Sequence, residues 1–215
     1  VIIAIDASAS LFFGSGSETK HDKIAETAAL LAFSAIRNHD KVGLLVFTDK
    51  TELWLPPRSG RAHVLRLIRE LLAFEPKSRG TDIGNAMNSL IQNLKKRAVV
   101  FLFSDFIDRA SYERPMKILN RKHDLIAVRV LDQEELELPP LPMLELEDAE
   151  TGELLSFDPS SATSRERYAQ AAGEELSGEQ ESFKRAKVDL IDVRCGEDIL
   201  KPLMAFFRGR KLKHR

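Results

Sequence analysis

A chain of 215 residues, 43% of them hydrophobic, is long enough to bury a sizeable core without disulfides or metals, as one large domain or two small ones. With 33 acidic and 32 basic side chains the formal charge is −1, so composition gives no global electrostatic case for binding nucleic acid or a membrane. Cys195 stands alone, which excludes an internal disulfide and a thiolate metal cluster; a reduced, packed thiol fits a reducing compartment such as a cytoplasm.

No apolar run approaches the ~20 residues needed to span a bilayer, and nothing at the start reads as a signal peptide. Val1 opens straight into a strand-like run with no initiator methionine. The expectation is a piece of a longer protein whose upstream part is missing.

Residues 1–5, VIIAI, are continuously apolar up to Asp6, as in a strand buried on both faces. GSGSETKHD (14–22) reads as a loop. From Lys23 to Arg37 the chain is apolar on almost every side, which predicts a buried helix. KVGLLVF (41–47) is a second buried strand, and TELWL (51–55) an edge strand paired with it as a hairpin and stopped by Pro56-Pro57. Val64, Leu65, Leu67, Ile68, Leu71 and Leu72 lie at helical spacing in 61–72.

After the polar loop KSRG and Thr81, a helix is expected from Asp82 to about Leu94. RAVVFLF (97–103) is a third buried strand ending at Ser104-Asp105, and 111–121 a short helix. DLIAVRVL (124–131) is a fourth buried strand. The segment 132–158 is acidic and proline-bearing, with a hairpin expected around Thr151-Gly152. A long helix (161–186), a last strand (188–193), a helix from Asp198 to Phe207 and a basic tail complete the chain.

Strands alternating with helices predict an α/β fold, a Rossmann-like doubly wound, mainly parallel sheet with helices on both faces. It would carry one antiparallel edge strand. All elements are expected to share one sheet, so 1–215 reads as a single domain with 132–158 as a hairpin insertion.

Three polar clusters follow buried strands or open helices: Asp6-Ala7-Ser8-Ala9-Ser10, Thr81-Asp82 and Ser104-Asp105. In an open parallel sheet, ligands bind beyond the carboxyl ends of the strands, where the strand order reverses. The clusters thus converge by topology. Hydroxyls and carboxylates are hard oxygen donors, and no His or Cys is among them. Such a set disfavours zinc and copper and favours Mg²⁺, with Mn²⁺ or Ca²⁺ as alternatives.

The pattern Asp-x-Ser-x-Ser after the first strand, Gly-Thr-Asp at a helix start and Ser-Asp after a later strand resembles the metal-ion-dependent adhesion site of von Willebrand factor A domains. The resemblance implies Ser8, Ser10 and Thr81 as hydroxyl ligands and Asp6 and Asp105 as carboxylates acting directly or through water. A partner's carboxylate would complete the shell. KVGLLVFTD, LPPRSG, SRGTDIGNAM, FLFSDF and DILKPLMAFFRGR together look like the bacterial domain-of-unknown-function family number fifty-eight. That resemblance covers essentially the whole chain and implies a role as adaptor or co-chaperone of a MoxR-type AAA+ ATPase. One departure stands out: many family members carry Gly where this chain has Ala9. Alanine there would cost on the order of 1 kcal/mol if the position required positive φ.

Each residue also has a plainer reading. Asp6 and Asp105 suit turns, and Thr81 suits the N-cap of the following helix. Asp82 reads as a helix-start charge, Ser104 as a turn residue bonding the backbone, and Asp49 and Asp108 as solvated loop acids. The five histidines are expected on the surface, and Phe12 and Phe13 in the core rather than as a rim of the site. The cationic run from Arg208 reads as a solvated end. No His adjoins a nucleophile and no carboxylates are paired for acid/base work, so a non-enzymatic binding module is expected. The alternative is a Mg²⁺-dependent phosphatase or phosphotransferase using Asp6 as nucleophile. Against it, phosphatases resembling haloacid dehalogenases carry a second aspartate where Ser8 stands. Nucleotide binding is weaker still, because neither a G-x-G-x-x-G nor a phosphate-binding G-x-x-x-x-G-K-[ST] motif is present.

Overall fold

Strand β1 (Ile2–Asp6) is buried at every residue. It takes β2 (Val42–Phe47) on one side and β4 (Val99–Ser104) on the other, both parallel to it. The strand order therefore reverses at β1. Beyond β4 follow β5 (Asp124–Leu131) and β8 (Asp189–Arg194), again parallel. Strand β3 (Thr51–Arg58) closes the other edge antiparallel to β2, giving the order β3-β2-β1-β4-β5-β8. This computed structural model describes residues 1–215 except Phe13, Ser15, Ser17, Arg109, 148–153 and 214–215.

Because side chains alternate along a strand, β1 feeds two cores. Ile3 and Ile5 point into a layer closed by α1 (Lys20–Arg37), α2 (Arg61–Leu72) and α7 (Leu200–Lys213). Ile2 and Ala4 point into the opposite layer, closed by α3 (Ile83–Asn93), α4 (Glu113–Lys122) and α6 (Ala162–Ala186). Covering both faces is why the central strands read as unbroken apolar runs rather than alternating ones. No helix among the described residues is long and apolar enough to cross a membrane.

Several boundaries differ from expectation, each for a local reason. β3 runs on through Pro56 and Pro57 to Arg58. On an edge strand the missing proline N–H can face outward, so the ladder to β2 survives. α1 starts at Lys20 rather than Lys23, because Thr19 and Asp22 form a reciprocal capping box inside the stretch read as loop. A short helix α5 (Gln133–Leu136) follows β5, set by a second box in which Glu135 reaches back to Asp132. The hairpin β6 (Leu144–Glu147) and β7 (Leu154–Phe157) pairs Leu144 with Phe157 and forms a separate two-stranded sheet instead of joining the main one. Its turn, expected around Thr151-Gly152, lies outside the described residues.

The last helix extends to Lys213, so the start of the cationic tail is helical, with Arg208 exposed to solvent. Arg210 folds back to Asp124 at 2.6 Å and Asp189 at 3.1 Å, and lies over the Phe206 ring. His21 and His123 are buried rather than superficial. His214 lies outside the described residues.

Candidate metal centre

At the carboxyl end of β1 the chain turns through Ala7 into a 3-10 turn, Ala9–Phe12. Asp6 is fully buried, and both its carboxylate oxygens are used. Oδ1 accepts the backbone N–H of Ser8 at 2.9 Å, and Oδ2 accepts the hydroxyl of Ser104 at 2.7 Å. The Ser8 and Ser10 hydroxyl oxygens lie 3.1 Å apart. Ala9 is not among the residues of positive φ, so alanine sits in this turn without the backbone strain that would call for glycine.

Two hydrogen bonds tie neighbouring loops to this one. The N–H of Ala7 donates to Phe47 O at the end of β2, and the N–H of Ala9 donates to Arg79 O in the loop before α3. Glu52 of β3 orders that same loop by accepting the N–H groups of Lys77 and Ser78. The N-cap of α3 is Asp82, whose carboxylate accepts Asn85 N–H at 2.6 Å. Asp108 accepts Ile83 N–H at 2.9 Å, so it caps the helix rather than standing solvated. With capping done by Asp82, the Thr81 hydroxyl is released from that role. Its buried oxygen has no hydrogen-bond partner.

Beyond β4, Asp105 is 3% exposed. The chain leaves it through Phe106, which holds φ +63° although it is not glycine. That conformation costs on the order of 1 kcal/mol or more. It is held by a bond from Phe106 N–H to Ser104 Oγ, by Tyr112 Oη donating to Phe106 O, and by an edge-on contact with Phe183. Burial, and then the nearby charge of Asp105, push the Asp6 carboxyl up to about 7, against the hydrogen bonds from Ser104 and Ser8.

Sequence reasoning missed Lys20. The first residue of α1 is fully buried and places its ammonium 2.9 Å from Asp105 Oδ2 and 2.5 Å from Glu135 Oε1. Burial disfavours the charge, but Asp105 and Glu135 outweigh it and hold the lysine pKa above its ordinary value. A capping Thr three residues before an Asp was the available signal for a helix start here, though nothing in the sequence said where Lys20 would point. Phe12, expected in the core, is 41% exposed and stacks on His21 with ring centroids 4.9 Å apart, so it stands at the rim of the first loop. Phe13 lies outside the described residues.

Asp6, Ser8 and Ser10 thus share one turn, Asp105 adjoins Asp6 electrostatically, and Thr81 sits on a loop hydrogen-bonded to Ala9. Among the described residues no group of three or more His, Cys, Asp and Glu is placed to hold a metal. A hydroxyl-rich donor set is the kind such a grouping does not contain. Two buried carboxylates, two adjacent serine hydroxyls and an unpartnered threonine hydroxyl fit a hard divalent cation.

Residues 1–177 match the family described as "Protein of unknown function DUF58". The chain belongs to that family. It is 26% identical over 211 residues to the uncharacterized protein Rv1480 of Mycobacterium tuberculosis, covering 97% of this chain and 66% of that protein's length. Among solved structures it is similar to BatB from Bacteroides thetaiotaomicron, with a TM-score of 0.60 at 16% identity over 100% of this chain and 98% of that one. The SpRpn10 VWA domain matches with a TM-score of 0.53 at 13% identity, over 94% and 92% of the two chains. The DUF58 chain has a von Willebrand factor A-like fold: a mostly parallel sheet between helices with an antiparallel edge strand.

Proposed function

We propose that this DUF58 chain is a non-enzymatic, metal-dependent protein-interaction module in which a divalent cation, Mg²⁺ first among the candidates, is held by Asp6, Ser8, Ser10, Thr81 and Asp105. The cation accepts a carboxylate from a partner protein. The unpartnered Thr81 hydroxyl carries the reading. A buried hydroxyl without a partner costs free energy, and a ligand role accounts for it where the capping role has passed to Asp82.

The protein's own groups prepare the site. Ser104 and the N–H of Ser8 orient Asp6, the Ala9–Arg79 bond fixes the threonine loop against the serine loop, and the Phe106 turn aims Asp105. A bound cation would supply a fixed positive charge with an open position for an oxygen ligand. Use of Asp6 as a phosphatase nucleophile is less well supported, because both its oxygens already accept hydrogen bonds in a fully buried position.

The resemblance to MoxR-associated proteins makes an AAA+ ATPase of that type the first partner to assay, in the role of adaptor or co-chaperone. Binding of the two purified proteins is measured with Mg²⁺ and with EDTA, for the wild type and for Ser8→Ala combined with Asp6→Ala. Loss of binding in EDTA and in the variant is expected. Equal affinity under all conditions rules out the metal bridge.

A further inference from the structure

Lys20 is an unusual residue to find where it is. A cation at the first position of a helix opposes the helix dipole, and full burial adds a desolvation cost. Its carboxylate partners come from two other elements. Asp105 follows β4, and Glu135 belongs to α5. Glu135 divides its oxygens: Oε1 accepts the Lys20 ammonium, and Oε2 accepts the N–H of Asp132 in the capping box that starts α5. Behind this contact lies a cavity lined by Asp105, Leu131, Glu135, Leu136 and Leu176 among others. Lys20 thus bridges the candidate metal centre and the helix at the lip of that cavity.

We propose that Lys20 is a tethered competitor of the divalent cation: its ammonium balances Asp105 when no ion is bound, and an ion engaging Asp105 shifts it toward Glu135, so that loading is passed to α5. This rests on the cation site proposed above. The basis is electrostatic. Two cations drawing on one buried carboxylate repel each other strongly in a low-dielectric site, and the one held by the fold weakens the other. The position of α5 depends on Glu135, so a change in its bond to Lys20 is felt across 132–136.

The test is Mn²⁺ binding by titration calorimetry to the wild type, Lys20→Met, Lys20→Arg and Lys23→Met. Lys23→Met removes a cation of the same helix that pairs with Glu18 and Glu26 instead. Lys20→Met should bind the ion about tenfold or more tightly, while Lys20→Arg and Lys23→Met stay close to the wild type. Lys20→Gln, which keeps a hydrogen-bonding group without the charge, replaces the Met variant if that one does not fold. Amide exchange across 132–137 should respond to Mn²⁺ in the wild type and not in Lys20→Met. Unchanged or weaker binding in the charge-removing variant, Lys20→Met or Lys20→Gln, or equal tightening in Lys20→Arg or Lys23→Met, overturns the competition; ion-insensitive exchange in the wild type overturns the relay. If Mn²⁺ binds the wild type and Asp6→Ala abolishes binding, failure of the Lys20 prediction leaves the site standing. If neither the wild type nor any Lys20 variant binds Mn²⁺, the cation site and the competition both fall.

Discussion

The hydroxyl of Ser104 donates to Asp6 Oδ2 at 2.7 Å while the same oxygen accepts the N–H of Phe106 at 2.9 Å, so one side chain holds the carboxylate of β1 and the turn after β4 together. Both residues are fully buried. Ser104 is therefore more than the backbone-bonding turn residue its sequence suggests. Replacing it by alanine leaves Asp6 Oδ2 and Phe106 N–H unsatisfied. Ser104→Ala should cost about 1–3 kcal/mol in chemical denaturation and should also weaken cation binding, since Asp6 loses its orientation. A full-stability variant with unchanged affinity would show that Asp6 is held by other means.

The raised pKa of Asp6 gives stability a definite slope with pH. The group's ordinary value is 3.8, and in the fold it stands at about 7, so the folded state binds the proton more tightly than the unfolded chain does. Stability without a divalent cation should therefore fall as pH rises between those two values, because the unfolded chain loses this proton while the folded state still holds it. Urea midpoints in EDTA at about pH 5 and about pH 8 should show this fall, and Asp6→Asn should flatten it. A divalent cation, which favours the ionised form, should stabilise most at the higher pH. A slope identical in Asp6→Asn would assign the effect to other groups.

Arg129 anchors the sheet beside the candidate cation site, since its partner Glu179 lines the same cavity as Asp105. Only 3% exposed on β5, it bonds Asp192 of β8 through Nε and Nη2 and Glu179 of α6 through Nη1 at 2.7 Å. Arg129→Met should cost about 3–5 kcal/mol, because Glu179 keeps a largely buried charge with its guanidinium partner removed. Adding Glu179→Gln should recover a substantial part of that loss. The check is a double-mutant cycle in guanidinium, and purely additive losses would count against direct pairing.

The main lines of the fold were legible because they rest on apolar runs. VIIAI, VGLLVF, VVFLF and DLIAVRVL are long enough and apolar enough that only a doubly covered parallel sheet accommodates them. The loops that present Asp6, Ser8, Ser10, Thr81 and Asp105 follow from that topology. Less legible was everything decided by side-chain direction. Lys20 looks like any loop lysine until Thr19 and Asp22 start a helix that turns it inward. Phe106 gives no hint of its left-handed backbone, since glycine or asparagine is the ordinary marker of such a turn. Phe12 reads as core by type, yet the 3-10 turn carries it to the surface beside His21.

Thr81 offers the cleanest separation of structure from ligand binding. Its hydroxyl is buried and unpartnered, and Asp82 caps the helix that follows. Valine has nearly the same shape with a methyl in place of the hydroxyl. Removing an unsatisfied buried polar group is neutral or mildly stabilising, so Thr81→Val should leave the cation-free protein within about 1 kcal/mol of the wild type or above it. If the hydroxyl ligates the ion, the same change removes a donor that the valine methyl cannot replace. Mn²⁺ affinity should then drop by about tenfold or more, and the thermal stabilisation by added Mn²⁺ should shrink in proportion. Thr81→Ser, which keeps the oxygen, should restore most of both. Stability and affinity falling together would mean that Thr81 supports the loop, whereas unchanged affinity in Thr81→Val would remove it from the ligand set.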